Sequence, residues 1–145
     1  MEKYDINFDK QTGTAKATIN YNGVEFITHA FCHPDDMDVV SEFVGCEIAT
    51  RRANIKVLQY IKNQEIKPEI KALKHLKSLQ EAHAETIFEK SYLITLRELL
   101  RLENELNTIK EMIATEKQGL KEYINAQEEI SQIIHRKKEK AQNNQ

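Results

Sequence analysis

From Leu99 onward one row of residues returns at alternating steps of three and four: Leu99, Leu102, Leu106, Ile109, Ile113, Glu116, Leu120, Tyr123, Gln127, Ile130 and Ile134. Nine of these eleven can be buried, the exceptions being Glu116 and Gln127. A seam of about five heptads is the signature of a helix that packs along its length against another helix. At 1.5 Å per residue it reaches roughly 60 Å, more than a compact domain of this size needs. Its partner is either the segment Glu69 to Leu79 folding back or the same helix of another subunit, so self-association is expected. Gly119 is the only helix breaker between Glu69 and the C-terminus.

The first 32 residues follow a different period. Tyr4, Ile6 and Phe8 alternate with Asp5 and Asn7, and Ala15, Ala17, Ile19 and Tyr21 alternate with Lys16, Thr18 and Asn20. A period of two marks half-buried strands. Asn22-Gly23 then separates two alternating runs, and both residues tolerate the positive φ of a type I′ turn. With an earlier turn around Gln11 to Gly13 and a return strand Val24 to Cys32, the N-terminus reads as a three-stranded antiparallel meander. A sheet this small needs a helix on its apolar face.

Asp35, Asp36 and Asp38 follow His33-Pro34 and suit a helix N-terminus, so a helix should begin near Asp36. Along it Val40, Val44, Ile48, Ile55 and Leu58 form an apolar stripe. Ser41, Gly45, Ala49 and Ala53 form a second, small-residue row, which either faces the sheet or makes a subunit contact. Pro68 removes an N–H donor and disfavours αR at Lys67, so it should kink or end the helix. The whole is an α+β chain, a single domain over 1–145: meander 1–33, helix 36–67, a long helical segment 69–140, possibly broken, and a fraying tail 141–145.

Composition agrees with this helical bias. In 145 residues there are 4 Gly, 2 Pro and no Trp, too few turn formers for a sandwich or a loop-rich α/β enzyme. The net charge of -2, from 21 basic and 23 acidic residues, gives no field that would draw duplex nucleic acid or an anionic membrane. No apolar run approaches a membrane span and the N-terminus lacks a leader pattern, which predicts a cytosolic location. With Cys32 and Cys46 the only cysteines, a disulfide framework is not expected.

Candidate chemistry is sparse. His29, Cys32, His33, Asp35 and Asp36 are the densest group of metal-ligand types, but no second ligand pair with zinc spacing accompanies them, so no metal is expected. No Ser or Cys elbow, Walker loop or Gly-rich dinucleotide fingerprint is present, so no catalytic residues and no cofactor are assigned. Anion binding is better supported. Arg51 and Arg52 interrupt the apolar stripe, and guanidinium groups grip phosphates bidentately; an ion pair with Glu47 or a neighbouring acid accounts for the pattern at least equally well. On the later helix Phe88 and Tyr92 are four apart, as are Arg97 and Arg101. Such rings stack bases while arginines hold phosphates, or they are core rings and arginines paired with Glu98, Glu103 or Glu105.

Residues 30 to 56, AFCHPDDMDVVSEFVGCEIATRRANIK, resemble a segment of many small phage and prophage proteins: a short strand, Cys-His-Pro, acids, then a helix carrying Gly45, Ile48-Ala49 and Arg52-Ala53. With the small sheet and long helices, the chain is similar to Thoeris anti-defence family one. That resemblance implies a sponge that is not an enzyme, acts in the host cytoplasm, assembles as a dimer or hexamer, and sequesters cyclic ADP-ribose isomers, and in some members cyclic di- or trinucleotides, in pockets at subunit boundaries. Ligand contacts are then expected from Arg51, Arg52, Phe88, Tyr92, Arg97 and Arg101. The alternative is a phage protein-interaction module, such as an anti-CRISPR or a coiled-coil adaptor, suggested by the seam and the lack of catalytic motifs.

Overall fold

The computed structural model describes residues 3–31, 39–83 and 89–143. Strands β1 (Lys3–Asp9), β2 (Thr14–Tyr21) and β3 (Val24–Phe31) are followed by helix α1 (Val39–Tyr60), a π-helical turn (Ile61–Ile66), α2 (Lys67–Ala82) and α3 (Glu89–Asn143). The α+β layout is thus the observed one. The expected helix start near Asp36 and the strand end at Cys32 fall outside the described residues.

The sheet has the order β1-β2-β3, antiparallel throughout. Asn22 and Gly23 both take positive φ, 50° and 79°, as the type I′ turn requires. The β1–β2 connection closes by a bond from the Gly13 amide to the Asp9 carbonyl at 2.8 Å. The Asp9 carboxylate also accepts from the Gln11 amide at 2.9 Å, and Gly13 takes the left-handed φ of 70°. Pairing of Ala15 with Ala30 and of Ala17 with Thr28 places small side chains across one face.

The chain divides into two compact units, residues 1–55 with 115–145, and residues 56–114. In the first, Ala15, Ala17, Ile19, Thr28 and Ala30 of the sheet are buried, as are Gly45, Ala49 and Ala53 of α1. The small-residue row therefore faces the sheet. Its lack of bulk allows backbone-close contact: the Thr28 hydroxyl donates to the Ala49 carbonyl. Two further bonds fasten α1, from Arg52 Nη1 to the His29 carbonyl at 2.8 Å and from the Tyr4 hydroxyl to Asn54 Oδ1 at 3.3 Å.

In the second unit the core is built from large aliphatic side chains. Ile66 and Ile70 pack with Leu99 and Leu102, and Ile61, Leu73, Leu106 and Ile109 close around them. The seam of α3 is thus met within this unit by the chain's own preceding helical segment, beginning earlier than Glu69, at Ile61. Along α3 burial of the seam fades, with Leu99, Leu102 and Ile113 buried, Leu120, Tyr123 and Gln127 half-buried, and Ile130 and Ile134 exposed.

Pro68 neither ends the helix nor expels Lys67 from αR, correcting the sequence expectation: Lys67 has φ -60° and ψ -44°, and Pro68 sits in the first positions of α2. The widened π turn immediately before it supplies the reason. A proline deprives residue i−4 of its bond and crowds that carbonyl, and a turn bonded i to i+5 already relaxes the α pattern there. The same turn suits the five-residue step from Ile61 to Ile66. The actual break in the 69–140 segment comes after Ala82, where His83 leaves the helical region at φ -116° and its amide bonds the Leu79 and Gln80 carbonyls. Gly119, by contrast, lies inside α3 without interrupting it.

Candidate ligand-binding site

The six residues singled out for anion binding are distributed over both units, with Phe88 outside the described residues. Arg51 and Arg52 belong to the first. Arg51 Nε binds Glu47 Oε1 at 2.9 Å, and its guanidinium lies 5.0 Å from the centre of the Tyr123 ring, a cation–π geometry. A Cβ built on Gly119 would stand 3.6 Å from Arg51 Nη1, an ordinary contact, so the glycine is not required for this packing. The Tyr123 hydroxyl is held protonated above the usual tyrosine range by burial first and by the charge of Glu47 second, with Arg51 opposing. Arg52 spends one nitrogen on the His29 carbonyl. Both arginines therefore serve the packing of α1 on its neighbours.

Tyr92, Arg97 and Arg101 lie on α3 in the second unit. The Tyr92 hydroxyl donates to Glu81 Oε1 at 2.7 Å, and that bond is the main cause of its raised pKa. Arg101 is clasped by its own helix, with Nη2 2.9 Å from Glu98 Oε2 and Nη1 2.6 Å from Glu105 Oε1. Its pKa is raised, first by the hydrogen bonds it donates to Glu98 and then by that residue's charge. Arg97 is exposed. Nine positions separate Tyr92 from Arg101, which at 100° per residue sets them on opposite sides of the helix. Arg97 and Arg101, four apart on α3, share a face of that helix, whereas Tyr92 stands on the side opposite Arg101.

A groove not anticipated from the sequence lies in this unit. It has a volume of about 560 Å³, an aliphatic floor of Ile61, Ile66 and Ile109, and a polar wall that includes Glu65, Glu69, Arg101, Asn104 and Glu105. Its position depends on the π turn, which carries Ile61, Glu65 and Ile66 and so brings a carboxylate and two floor residues alongside α3. Three carboxylates against one guanidinium make the groove acidic. A partly hidden signal was available in the sequence: Glu65 and Glu69 are four apart, the spacing of one helix face.

Cys46 is half-buried, and burial, assisted by the nearby charge of Glu42, raises its pKa. A reactive thiol needs the opposite shift. His29 stacks on Phe31 with centroids 6.3 Å apart. Among the described residues no three His, Cys, Asp or Glu side chains could hold a metal ion; Cys32, His33, Asp35 and Asp36 lie outside them. No described helix is long and apolar enough to cross a membrane. The chain matches no family model, no curated protein and no solved structure.

Proposed function

We propose that the protein works by capture: a self-associating phage anti-defence sponge, acting in the host cytoplasm, that holds a cyclic nucleotide signal without cleaving it. Cyclic ADP-ribose isomers are the first candidates and cyclic di- or trinucleotides the next. The observation that supports this reading is how the sponge-like segment folds. Gly45, Ala49 and Ala53 are buried, the Thr28 hydroxyl meets the Ala49 carbonyl, and Arg52 binds the His29 carbonyl. The described part of the resembling segment, residues 30–31 and 39–56, therefore belongs to a packed strand and helix, while Cys32 to Asp38 lie outside the described residues. Phosphate recognition on α3 would draw on Arg101, whose carboxylate partners are each about half exposed, at 47% and 48%. Exposed ion pairs of this kind contribute little and exchange readily for a bidentate phosphate.

Incubation with a TIR-derived cyclic ADP-ribose, gel filtration and heat release tests this reading. The expected result is intact ligand recovered from the protein fraction, with retention lowered about tenfold in Arg101→Ala, the loss of one charge-assisted contact. Absence of retention for every cyclic ADP-ribose isomer and cyclic oligonucleotide at micromolar protein overturns it.

A second reading, a protein-interaction module of the anti-CRISPR or adaptor kind, is favoured by the opposite placement of Tyr92 and Arg101 on α3 and by the exposure of Leu93, Ile94 and Leu100. Recovery of one dominant host protein, with no nucleotide in the purified sample, supports it.

A further inference from the structure

The last turns of α3 carry an anchor row with no cover among the described residues. Ile130, Ile133 and Ile134 are exposed at 47%, 51% and 46%, and Lys137 completes an i, i+3, i+4, i+7 series on the same face. That is the spacing by which a helix seats itself in a groove. Arg136, Lys137, Lys138 and Lys140, against Glu139 alone, make this end of the helix strongly basic. The groove of the second unit offers the complement: isoleucines Ile61, Ile66 and Ile109 below, Glu69 and Glu105 at the rim. Arg101, its single cation, is already held by Glu98 and Glu105.

We propose that this groove receives the C-terminal end of α3 from a second copy of the chain, with the isoleucines on its floor and Lys137 and Lys138 against its acidic rim. The row's isoleucines and basic charge match the isoleucines and acidic charge of the groove, so that one copy's row is the complement of another copy's groove. The contact is of one patch on another, different patch, so a single copy retains a vacant tail or groove and can add further copies unless a ring closes. A few anchor side chains bury far less than the roughly 1,200 Å² of a stable interface, so association in the micromolar range is expected.

The proposal concerns the self-association contained in the capture reading and is read by sedimentation, whereas capture is read by nucleotide retention, so each can fail without the other. Sedimentation velocity of the full chain across the micromolar range should show concentration-dependent association that weakens in molar salt. Lys137→Glu with Lys138→Glu should weaken it about tenfold, as should Glu69→Lys with Glu105→Lys, and mixing the two charge-reversed proteins should restore it. Ile133→Asp, at an exposed position that leaves the fold intact by circular dichroism, should remove association. A monomer at every concentration, association indifferent to all three variants, or failure of the mixture to recover each overturns the proposal. Association that survives loss of the tail charges and of Ile133 would instead mean that another surface holds the copies together.

Discussion

The two compact units are stabilised in contrasting ways. Where α1 meets the sheet, the buried residues are mostly small, alanines with Gly45 and Thr28 beside the large side chain of Ile19, and hydrogen bonds from Thr28, Arg52 and Tyr4 define the fit. In the 56–114 unit four buried aliphatic residues, Ile66, Ile70, Leu99 and Leu102, define it by volume. A core of small residues gains little apolar burial per residue and is intolerant of added bulk, whereas a core of large ones is most sensitive to removal. The two halves should therefore respond to opposite kinds of substitution.

Truncation of Leu102, only 2% exposed, tests the volume-based unit most severely. Leu102→Ala should cost about 2–5 kcal/mol in chemical denaturation, and a loss below 1 kcal/mol would show that the site collapses around the gap. Enlargement should do most harm in the other unit. Ala53 is fully buried, and Ala53→Leu should cost about 1–3 kcal/mol, more than an equivalent enlargement at half-buried Leu73. Thr28→Val isolates the hydrogen-bonded part of the same fit and should cost about 1 kcal/mol. Gly119→Ala has the opposite sign: the added Cβ meets only an ordinary contact with Arg51, so a gain of about 0.5–1 kcal/mol in helix stability is expected.

The smallest effect lies at alkaline pH. Tyr123 and Tyr92 both have raised pKa values, so their contribution is intact below the ordinary tyrosine value of about 10 and is lost as pH rises through the higher folded values. Tyr123→Phe and Tyr92→Phe should each remove a late component from the phenolate absorbance titration, and Tyr123→Phe should flatten the alkaline decline in stability of its unit. A titration whose late part is unchanged by both substitutions would remove the assigned causes.

The elements whose signals are local were legible in the sequence. Alternation and Asn22-Gly23 specify the meander and its register, because a strand slipped by one residue would turn Ala15, Ala17 and Ile19 outward. The small row of α1 was visible, though the choice between sheet and subunit contact needed Thr28 to meet Ala49. The break at His83 was not visible, since neither Gly nor Pro marks it. The groove was hidden too. Arg101 was read with Arg97, its neighbour on the helix, while its surroundings are completed by Glu65 and Glu69, distant in sequence and brought alongside by a non-α turn. For the arginines, the sequence offered Glu47, Glu98 and Glu105 as ion-pair partners beside the ligand reading, and the structure forms those pairs; only the His29 carbonyl that takes Arg52 carried no signal.

The π turn also gives the chain a residue to spare at one place. Ile61 and Ile66 reach one floor because the intervening residues wind more slowly than an α-helix, each π turn holding more residues per revolution. Deleting one residue between them would let the segment rewind as ordinary α-helix with the turns on either side close to their present phase, so that Ile70 would still meet Leu99 and Leu102. A deletion of the same size inside α2 would instead turn everything after it by about 100°. Between Ile61 and Ile66, therefore, a lost codon should do less damage than the same loss one or two turns further along.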